Sequence, residues 1–209
     1  MSNPVRTHSV IRSRWSEGER AAHYRRGRFR SPRAARRDPD RIAALIKEHG
    51  VHGPILDVPC GTGRLRSALA AQTDEYVGVD ASFSMLSESE DTTKLVTADA
   101  LQLPFADGSF DVVVACRLFH HLGQSEDRVA LSRELARVSS RLVIASFWDS
   151  ASLHSLRRRI GMKHDNSTRR SLAKRTLRAE LERSGLRILG WKHSFRFISQ
   201  QAFFVAEKA

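Results

Sequence analysis

The sequence predicts an α/β domain built on a seven-stranded, mostly parallel sheet with helices on both faces. Three observations predict it. Short apolar segments alternate with helical segments, as in sheets whose parallel strands are joined by helices. The segment "FDVVVAC" contains a valine run that suits burial on both faces. Asp57, Asp80 and Asp99 each end one of these segments, where ligands bind in parallel sheets.

The first helix is predicted over "RDPDRIAALIKEHG". Asp38 is a suitable N-cap, Pro39 fits the first turn and Gly50 can end the helix. The next helix, "TGRLRSALAA", is expected directly after the two glycines, and Ser82 is expected to cap the short helix "SFSMLSES". The remaining helices are predicted over "SEDRVALSRELARVS" and "TRRSLAKRTLRAELERSG". The seven strands are predicted over "PILDV", "EYVGVD", "KLVTAD", "FDVVVAC", "RLVIASFW", "LRILGWKHSF" and "QAFFVAEK".

Length and composition indicate a folded chain. Its 209 residues can bury a substantial core, and a hydrophobic fraction of 41% argues against global disorder. Because no apolar run approaches the roughly 20 residues that span a bilayer, we expect no transmembrane segment. The N-terminus lacks the apolar core of a secretory signal. Two cysteines cannot form a disulfide framework, so a cytoplasmic location is expected.

The net charge of +12 is unevenly distributed. Residues 1–41 contain twelve arginines and four acids, and a second basic run spans residues 157–178, whereas the stretch between them is more acidic. Basic flanks can bind the phosphates of RNA or lipid head groups, the latter as a peripheral membrane contact. A solvated arginine-rich surface explains the same pattern, and both interpretations stay open.

The loop after the first strand predicts the class of ligand. Gly61 and Gly63 allow backbone N–H groups to approach a ligand at a helix N-terminus. A dinucleotide fingerprint would need glycine where Arg66 stands, and the sequence contains no P-loop motif. Asp57 before the loop disfavours a pyrophosphate and favours a cationic ligand. With Asp80 for ribose hydroxyls and Asp99 for an exocyclic amine, the pattern fits S-adenosylmethionine.

Four segments carry a resemblance to the class I S-adenosylmethionine-dependent methyltransferases. They are "LDVPCGTGRL", "VGVDASFSML", "ADALQLPFADGSFDVVVACRLFHHL" and "RLVIASF", over about residues 54–147. The resemblance implies a Rossmann-like fold in which the last strand of the sheet is antiparallel. The subgroup that the sequence most resembles contains the small-molecule and lipid methyltransferases of ubiquinone and menaquinone biosynthesis. The chain departs from the family at Pro59, where glycine is usual and where proline provides no N–H to donate.

The resemblance implies a set of site residues. A cofactor would contact the glycine loop with its methionine end, the second strand end with its ribose and the third with its adenine. The implied cofactor-binding residues are Asp57, Pro59, Gly61, Gly63, Asp80, Ala81, Ser82, Met85, Asp99, Ala100, Cys116 and, from an N-terminal helix that closes over the cofactor, Tyr24. No metal site is predicted, because Cys116 and the neighbouring histidines lack a second cysteine pair or an H-x-x-E pattern.

The candidate catalytic residues are Arg117, His120 and His121, at the mouth of the methyl-transfer site. Histidine can take a proton from a nucleophile near neutral pH. The alternative is that one histidine faces the core and the other caps the next helix. Methyl transfer also often needs no base, because positioning does most of the work. Cys116 as a nucleophile towards a pyrimidine is disfavoured, because Ala115 precedes it where such enzymes have proline.

The implied function is methyl transfer to a small-molecule or lipid-like acceptor by in-line displacement, and the basic flanks leave an anionic acceptor open. One alternative is an RNA methyltransferase that uses these flanks, although no N-P-P-[YF] motif follows the fourth strand. Another is a non-catalytic cofactor-binding or regulatory protein. The predicted division is a basic extension over 1–37 and a methyltransferase domain over 38–209. That domain comprises a cofactor half (54–147), a basic acceptor-side region (148–184) and closing strands (186–207).

Overall fold

The computed structural model describes residues 32–152, 170–193 and 200–209 of the chain. Its strands are β1 (Ile55–Asp57), β2 (Tyr76–Asp80), β3 (Leu95–Thr97), β4 (Phe110–Ala115), β5 (Ser139–Trp148), β6 (Leu186–His193) and β7 (Gln201–Lys208). These seven strands form one sheet in the order β3-β2-β1-β4-β5-β7-β6. The strands β3, β2, β1, β4 and β5 pair in parallel with their neighbours, and β7 is antiparallel to both β5 and β6. The predicted fold class and all seven strands are confirmed.

One helix precedes β1, and the other described helices lie in the connections between strands. The helices are α1 (Pro32–Glu48), α2 (Arg66–Ala70), α3 (Phe83–Leu86), a 3₁₀ helix (Phe119–His121), α4 (Ser125–Val138) and α5 (Lys174–Glu182). The predicted cap of α3 is confirmed, since Ser82 Oγ accepts the Met85 N–H at 3.3 Å. In the part of the chain that the structure describes, no helix is both long and apolar enough to cross a membrane.

The predicted start of α1 is wrong. The helix begins at Pro32 rather than at Asp38, and it continues through Pro39. Asp38 lies within the helix and is buried, and its carboxylate forms ion pairs with Arg64 and Arg117. These ion pairs compensate the cost of burying the charge. A carboxylate held in this way is not available as an N-cap. The helix also crosses the suggested boundary between residues 37 and 38. The predicted domain division stays a prediction.

Two other helix starts also differ from the prediction. The helix α2 begins at Arg66, because a turn in which the Arg66 N–H donates to the Gly63 carbonyl at 3.0 Å separates it from the glycines. The helix α5 begins only at Lys174. Just before it, the Leu172 N–H donates to the Trp148 carbonyl at 2.7 Å, and Leu172 forms an isolated parallel bridge with Asp149 instead of a helical turn.

Both faces of the sheet are covered by apolar side chains, and β4 shows how the sequence achieves this. Val113 and Ala115 point into a cluster with side chains of α4 and α5. Val112 and Val114 point to the opposite face, among side chains of α1 and α2. Burying a valine side chain is worth about 1.5–3 kcal/mol, so a strand with valines on both faces is stable only between two layers. This confirms the two-sided burial predicted for "FDVVVAC".

A buried ion pair joins α4 to α5. Arg128 Nε and Nη2 donate to the two carboxylate oxygens of Glu180 at 2.7 and 2.5 Å, and both side chains are buried. Arg128 Nη1 also donates to the Leu122 carbonyl at 2.9 Å. The pair therefore fixes α5 and the end of the 3₁₀ segment relative to α4.

Candidate active site

A cavity opens at the carboxyl ends of β1, β2 and β4, where the strand order reverses between β1 and β4. This switch point is where parallel sheets bind ligands. Eleven of the predicted site residues line the cavity. They are Pro59, Gly61, Asp80, Ala81, Ser82, Met85, Asp99, Ala100, Cys116, Arg117 and His121. Asp57, Gly63 and His120 lie outside its lining, and Tyr24 lies outside the described residues.

The glycine loop needs its two glycines for their backbone conformation. Gly61 and Gly63 have φ values of 58° and 80°, in the left-handed region that side chains disfavour. A Cβ at Gly63 would also lie 2.7 Å from Ser89 Oγ. Gly63 therefore shapes the loop, whereas Gly61 forms part of the cavity wall.

Asp80 connects the end of β2 to this loop. Its Oδ2 accepts the Gly61 N–H and its Oδ1 accepts the Ser82 N–H, each at 2.9 Å. Burial raises the pKa of Asp80, while the backbone bonds from Ser82 and Gly61 counteract that rise by favouring the charged form. Each carboxylate oxygen has a second lone pair, so Asp80 can still accept two hydroxyl groups from the cavity.

Asp57 lies beneath the glycine loop, fully buried. Its Oδ2 accepts the Tyr76 hydroxyl at 3.2 Å, while Oδ1 has no hydrogen-bond partner among the described residues. Burial raises the pKa of Asp57 to about 7, against the lowering effects of the Tyr76 bond and of the Arg64 charge. The acid can therefore attract a cation in the cavity only through the intervening loop.

Asp99 caps a turn and also lines the cavity. Its Oδ1 accepts the Leu101 N–H at 3.1 Å, which caps the turn after β3. The half-buried side chain also lines the cavity, near Ala100 and Met85. Turn capping and ligand binding are therefore compatible at this position.

The segment after β4 brings Cys116 and Arg117 to the cavity. Burial raises the pKa of the Cys116 thiol to about 11, so it is protonated at neutral pH and is a poor nucleophile. Arg117 has a φ of 66°, which is unusual for a residue with a side chain. Its N–H donates to Ser146 Oγ at 2.7 Å, and its guanidinium reaches Asp38.

The two histidines face different surroundings. His120 is only 1% exposed, and its ring stacks on Trp148 with centroids 4.5 Å apart and an interplanar angle of 9°. His121 is half-buried and lines the cavity. His120 therefore has the core-facing position that the non-catalytic alternative expected for one of the two histidines. His121 lies at the cavity and is not the cap of α4, which is Gln124, and a catalytic role for it stays a prediction.

Sequence reasoning did not single out Arg64 or the leucines of the cavity wall. Arg64 follows the glycine loop, and its Nη2 lies 3.2 Å from Asp38 Oδ2. Leu118 and Leu122 flank the histidines, and Leu131 projects from α4. Arg64, Leu118 and Leu122 are close in sequence to predicted site residues, and this proximity could have identified them as candidates. Within the described residues, no group of three histidine, cysteine or acidic side chains could hold a metal ion.

Comparison with known proteins shows what this arrangement resembles. The family model described as "Methyltransferase domain" matches residues 56–142. Demethylmenaquinone methyltransferases from Staphylococcus aureus (strain MRSA252) and Bacillus licheniformis are 41% and 38% identical to the chain over 80 and 92 residues. These alignments cover 33% and 40% of this chain and 33% and 38% of the relatives, so the chain matches little more than a third of their length.

Solved structures resemble the chain over much more of its length. Magnesium protoporphyrin IX methyltransferase from Synechocystis PCC 6803, solved with bound S-adenosylhomocysteine, has a TM-score of 0.79 at 19% identity and covers 96% of this chain and 99% of its own. An S-adenosylmethionine-dependent methyltransferase from Clostridium acetobutylicum has a TM-score of 0.69 at 16% identity, with coverages of 91% and 98%. At 19% and 16% sequence identity, the structural similarity to these proteins establishes the fold of the chain and no more. Together with the domain match, it confirms the resemblance drawn from the sequence.

Proposed function

We propose that this chain, which carries a class I S-adenosylmethionine-dependent methyltransferase domain, transfers a methyl group from S-adenosylmethionine to a small-molecule acceptor. The observation that carries the proposal is the Asp80 carboxylate at the switch point of the sheet. It is buried and held by the Gly61 and Ser82 N–H groups, and it lines the cavity. The structural neighbours solved with S-adenosylmethionine or S-adenosylhomocysteine support the same cofactor.

The cavity residues fit this cofactor along its length. Asp80 would accept the two ribose hydroxyls, and Asp99, Ala100 and Met85 would surround the adenine. Gly61 would let the methionine portion approach the backbone closely. The buried Asp57 carboxyl lies behind the loop, and its Oδ1 atom has no hydrogen-bond partner among the described residues. Its pKa is raised to about 7, and the cationic amino group of a cofactor bound on the other side of the loop would favour the charged form of this acid.

The bound cofactor would supply an activated methyl group on a positively charged sulfur. The chain's own contribution is then to align an acceptor for in-line attack, to exclude water and to remove a proton. We assign proton removal to His121, because it lines the cavity, and a packing role to His120, because its ring is stacked on Trp148. Arg117 lies at the same end of the cavity.

The cavity wall supports an acceptor with an apolar body. Leu118, Leu122 and Leu131 form an apolar surface next to His121. The names of the similar proteins specify demethylmenaquinone and magnesium protoporphyrin IX. We propose an acceptor of this general kind, an apolar ring system with a nucleophilic oxygen, nitrogen or carbon.

The RNA alternative depends on the basic flanks, which lie largely outside the described residues, and no feature of the cavity favours it. A lipid-like acceptor, the cytoplasmic location and the binding of the flanks to RNA or membranes stay predictions. The non-catalytic alternative predicts cofactor binding without turnover, or no cofactor binding.

The test is transfer of a labelled methyl group from S-adenosylmethionine to small quinols, metalloporphyrins and RNA. We expect product with a ring-containing small molecule, and a loss of about 10²-fold or more in the rate for His121→Gln at unchanged S-adenosylhomocysteine affinity. His120→Gln provides the comparison, since it should act through stability. Labelled RNA alone would support the RNA alternative. Cofactor binding without any labelled product would favour the non-catalytic one.

A further inference from the structure

Two arginines line the methyl-transfer end of the cavity and share one buried carboxylate. Arg64 Nη2 and Arg117 Nη2 lie 3.2 and 2.8 Å from the same Oδ2 atom of Asp38. Arg117 Nε also donates to this atom at 2.9 Å. We call these three residues the Asp38 clamp. Asp38 is buried and does not line the cavity, whereas both arginines do.

The clamp places two guanidinium groups side by side. Arginine remains charged in proteins, and a single carboxylate carries one negative charge, so the three residues together carry one net positive charge. The thiol of Cys116, whose Sγ accepts from Arg64 Nη2 at 3.5 Å, contributes no charge, because its pKa is raised. Asp57, which also acts on Arg64, lies outside the cavity lining.

The strand order separates this positive charge from the acids of the cavity. Asp80 and Asp99 follow β2 and β3, on one side of the switch point. Arg64 and Arg117 follow β1 and β4, which are neighbours at the switch point itself. The cavity is therefore acidic where we place the adenosine and basic where we place the methyl transfer.

The backbone of Arg117 supports a functional reason for this arrangement. Its φ of 66° is rarely adopted by residues with a side chain, and such conformations cluster at ligand sites. The bond from its N–H to Ser146 Oγ on β5 and the two contacts with Asp38 fix it in this conformation. The guanidinium is thus positioned from both ends, as expected for a group that binds a ligand.

We infer that Arg64 and Arg117 form a carboxylate-binding subsite at the methyl-transfer end of the cavity. The inference rests on the proposed function and adds to it the chemistry of the ligand group at this end. The planar guanidinium fork matches a carboxylate and binds it through charge-assisted hydrogen bonds. Two carboxylates could reach the subsite: the amino-acid carboxylate of the cofactor or an acid group on the acceptor.

The first arm of the test compares S-adenosylhomocysteine with its decarboxylated analogue, S-adenosyl-3-thiopropylamine, by calorimetric titration. Wild type, Arg117→Gln and Arg64→Gln are measured beside Arg66→Gln. Arg66 is the matched control, because it follows the same loop but pairs with Asp91 and does not line the cavity. Arg117→Lys keeps the charge without the fork and serves as a second variant should Arg117→Gln fold poorly.

The second arm titrates hexanoate and its uncharged counterpart hexan-1-ol into the protein, with and without saturating S-adenosylhomocysteine. If the cofactor carboxylate occupies the subsite, wild type prefers S-adenosylhomocysteine to the analogue by about tenfold or more, and both Gln variants lose this preference. If an acid group of the acceptor occupies the subsite, the ratio of the affinities for S-adenosylhomocysteine and its analogue is the same in the Gln variants as in wild type. Wild type then binds hexanoate more tightly than hexan-1-ol, and both Gln variants lose this preference.

The inference is overturned if Arg117→Gln and Arg64→Gln keep both wild-type affinity ratios, that of S-adenosylhomocysteine to its analogue and that of hexanoate to hexan-1-ol. It is also overturned if Arg66→Gln changes these affinity ratios as much as the other two variants do. Failure of wild type to bind either nucleoside would count against the proposed cofactor instead. In that case the hexanoate titration without nucleoside still decides whether the two arginines bind a carboxylate.

Discussion

The Asp80 carboxylate accepts the backbone N–H of Gly61 over 2.9 Å, which joins the end of β2 to the glycine loop after β1. The bond connects residues 19 positions apart in the chain. The bond holds the loop next to Asp80, and both residues line the cavity in which we place the ribose.

Gly63→Ala should damage the loop because its backbone conformation is costly for any residue with a Cβ. A left-handed conformation costs about 1–2 kcal/mol, and the new Cβ would also lie too close to Ser89 Oγ. We expect a comparable loss in the free energy of unfolding and weaker binding of S-adenosylhomocysteine. Gly123→Ala is the control, since a Cβ there contacts nothing within 4 Å. Equal effects of both changes in urea unfolding would contradict this account.

Asp57 should make stability depend on pH. Because burial raises its folded-state pKa to about 7, the folded protein keeps a proton that the unfolded chain loses near pH 4. Stability therefore falls as pH rises from about 4 through 7. Asp57→Asn should remove this component and gain stability relative to wild type towards pH 8. Urea unfolding between pH 5 and 8 measures it, with the exposed Asp74→Asn as control. Parallel pH profiles for wild type and Asp57→Asn would refute the prediction.

The two neighbouring histidines should differ in their effect on stability. His120→Ala removes a buried ring that stacks on Trp148, and such aromatic contacts are worth about 0.5–1.5 kcal/mol beyond area burial. We expect a loss of at least about 1 kcal/mol for His120→Ala and a smaller one for His121→Ala, because the latter ring lines the cavity. Thermal and urea unfolding test the order. A larger loss for His121→Ala would reverse the two assignments.

The buried pair between α4 and α5 should be sensitive to loss of one partner. Glu180→Gln leaves the buried Arg128 charge uncompensated, which typically costs about 3–5 kcal/mol. The matched control is Glu207→Gln, in an exposed pair with Arg187, where a change of at most about 1 kcal/mol is expected. Similar losses in the two variants would show that burial does not determine the contribution of the Arg128–Glu180 pair.

The residues that form the junction between β2 and the glycine loop could be predicted from the sequence because their signals are local, whereas the bond between Asp80 and Gly61 is seen only in the structure. An acid at the end of an apolar strand, a glycine loop and a serine cap are each visible within a few residues, and the parallel sheet brings the strand ends together. Local patterns were therefore sufficient to place Asp80, Gly61 and Ser82 at one site. The same reasoning predicted that β4 would be buried on both faces.

The remaining parts of the site depend on contacts between distant residues. Asp38 was expected to cap a helix because capping is a local signal, yet the carboxylate pairs with Arg117, 79 positions away. The pair of adjacent histidines gives no indication of which ring faces the cavity, since the 3₁₀ turn and the stack on Trp148 decide this. Arg64 lies next to the predicted loop, and only the fold shows that it meets Arg117 at one oxygen atom.

The central claim, a cofactor site built around Asp80, is tested most directly by calorimetric titration of S-adenosylhomocysteine into wild type and Asp80→Ala. The exposed Asp91→Asn serves as the control. The account predicts micromolar binding to wild type and Asp91→Asn and a loss of about tenfold or more, roughly 1.4 kcal/mol, in Asp80→Ala. Absence of binding to wild type, or equal affinity in Asp80→Ala, would contradict it.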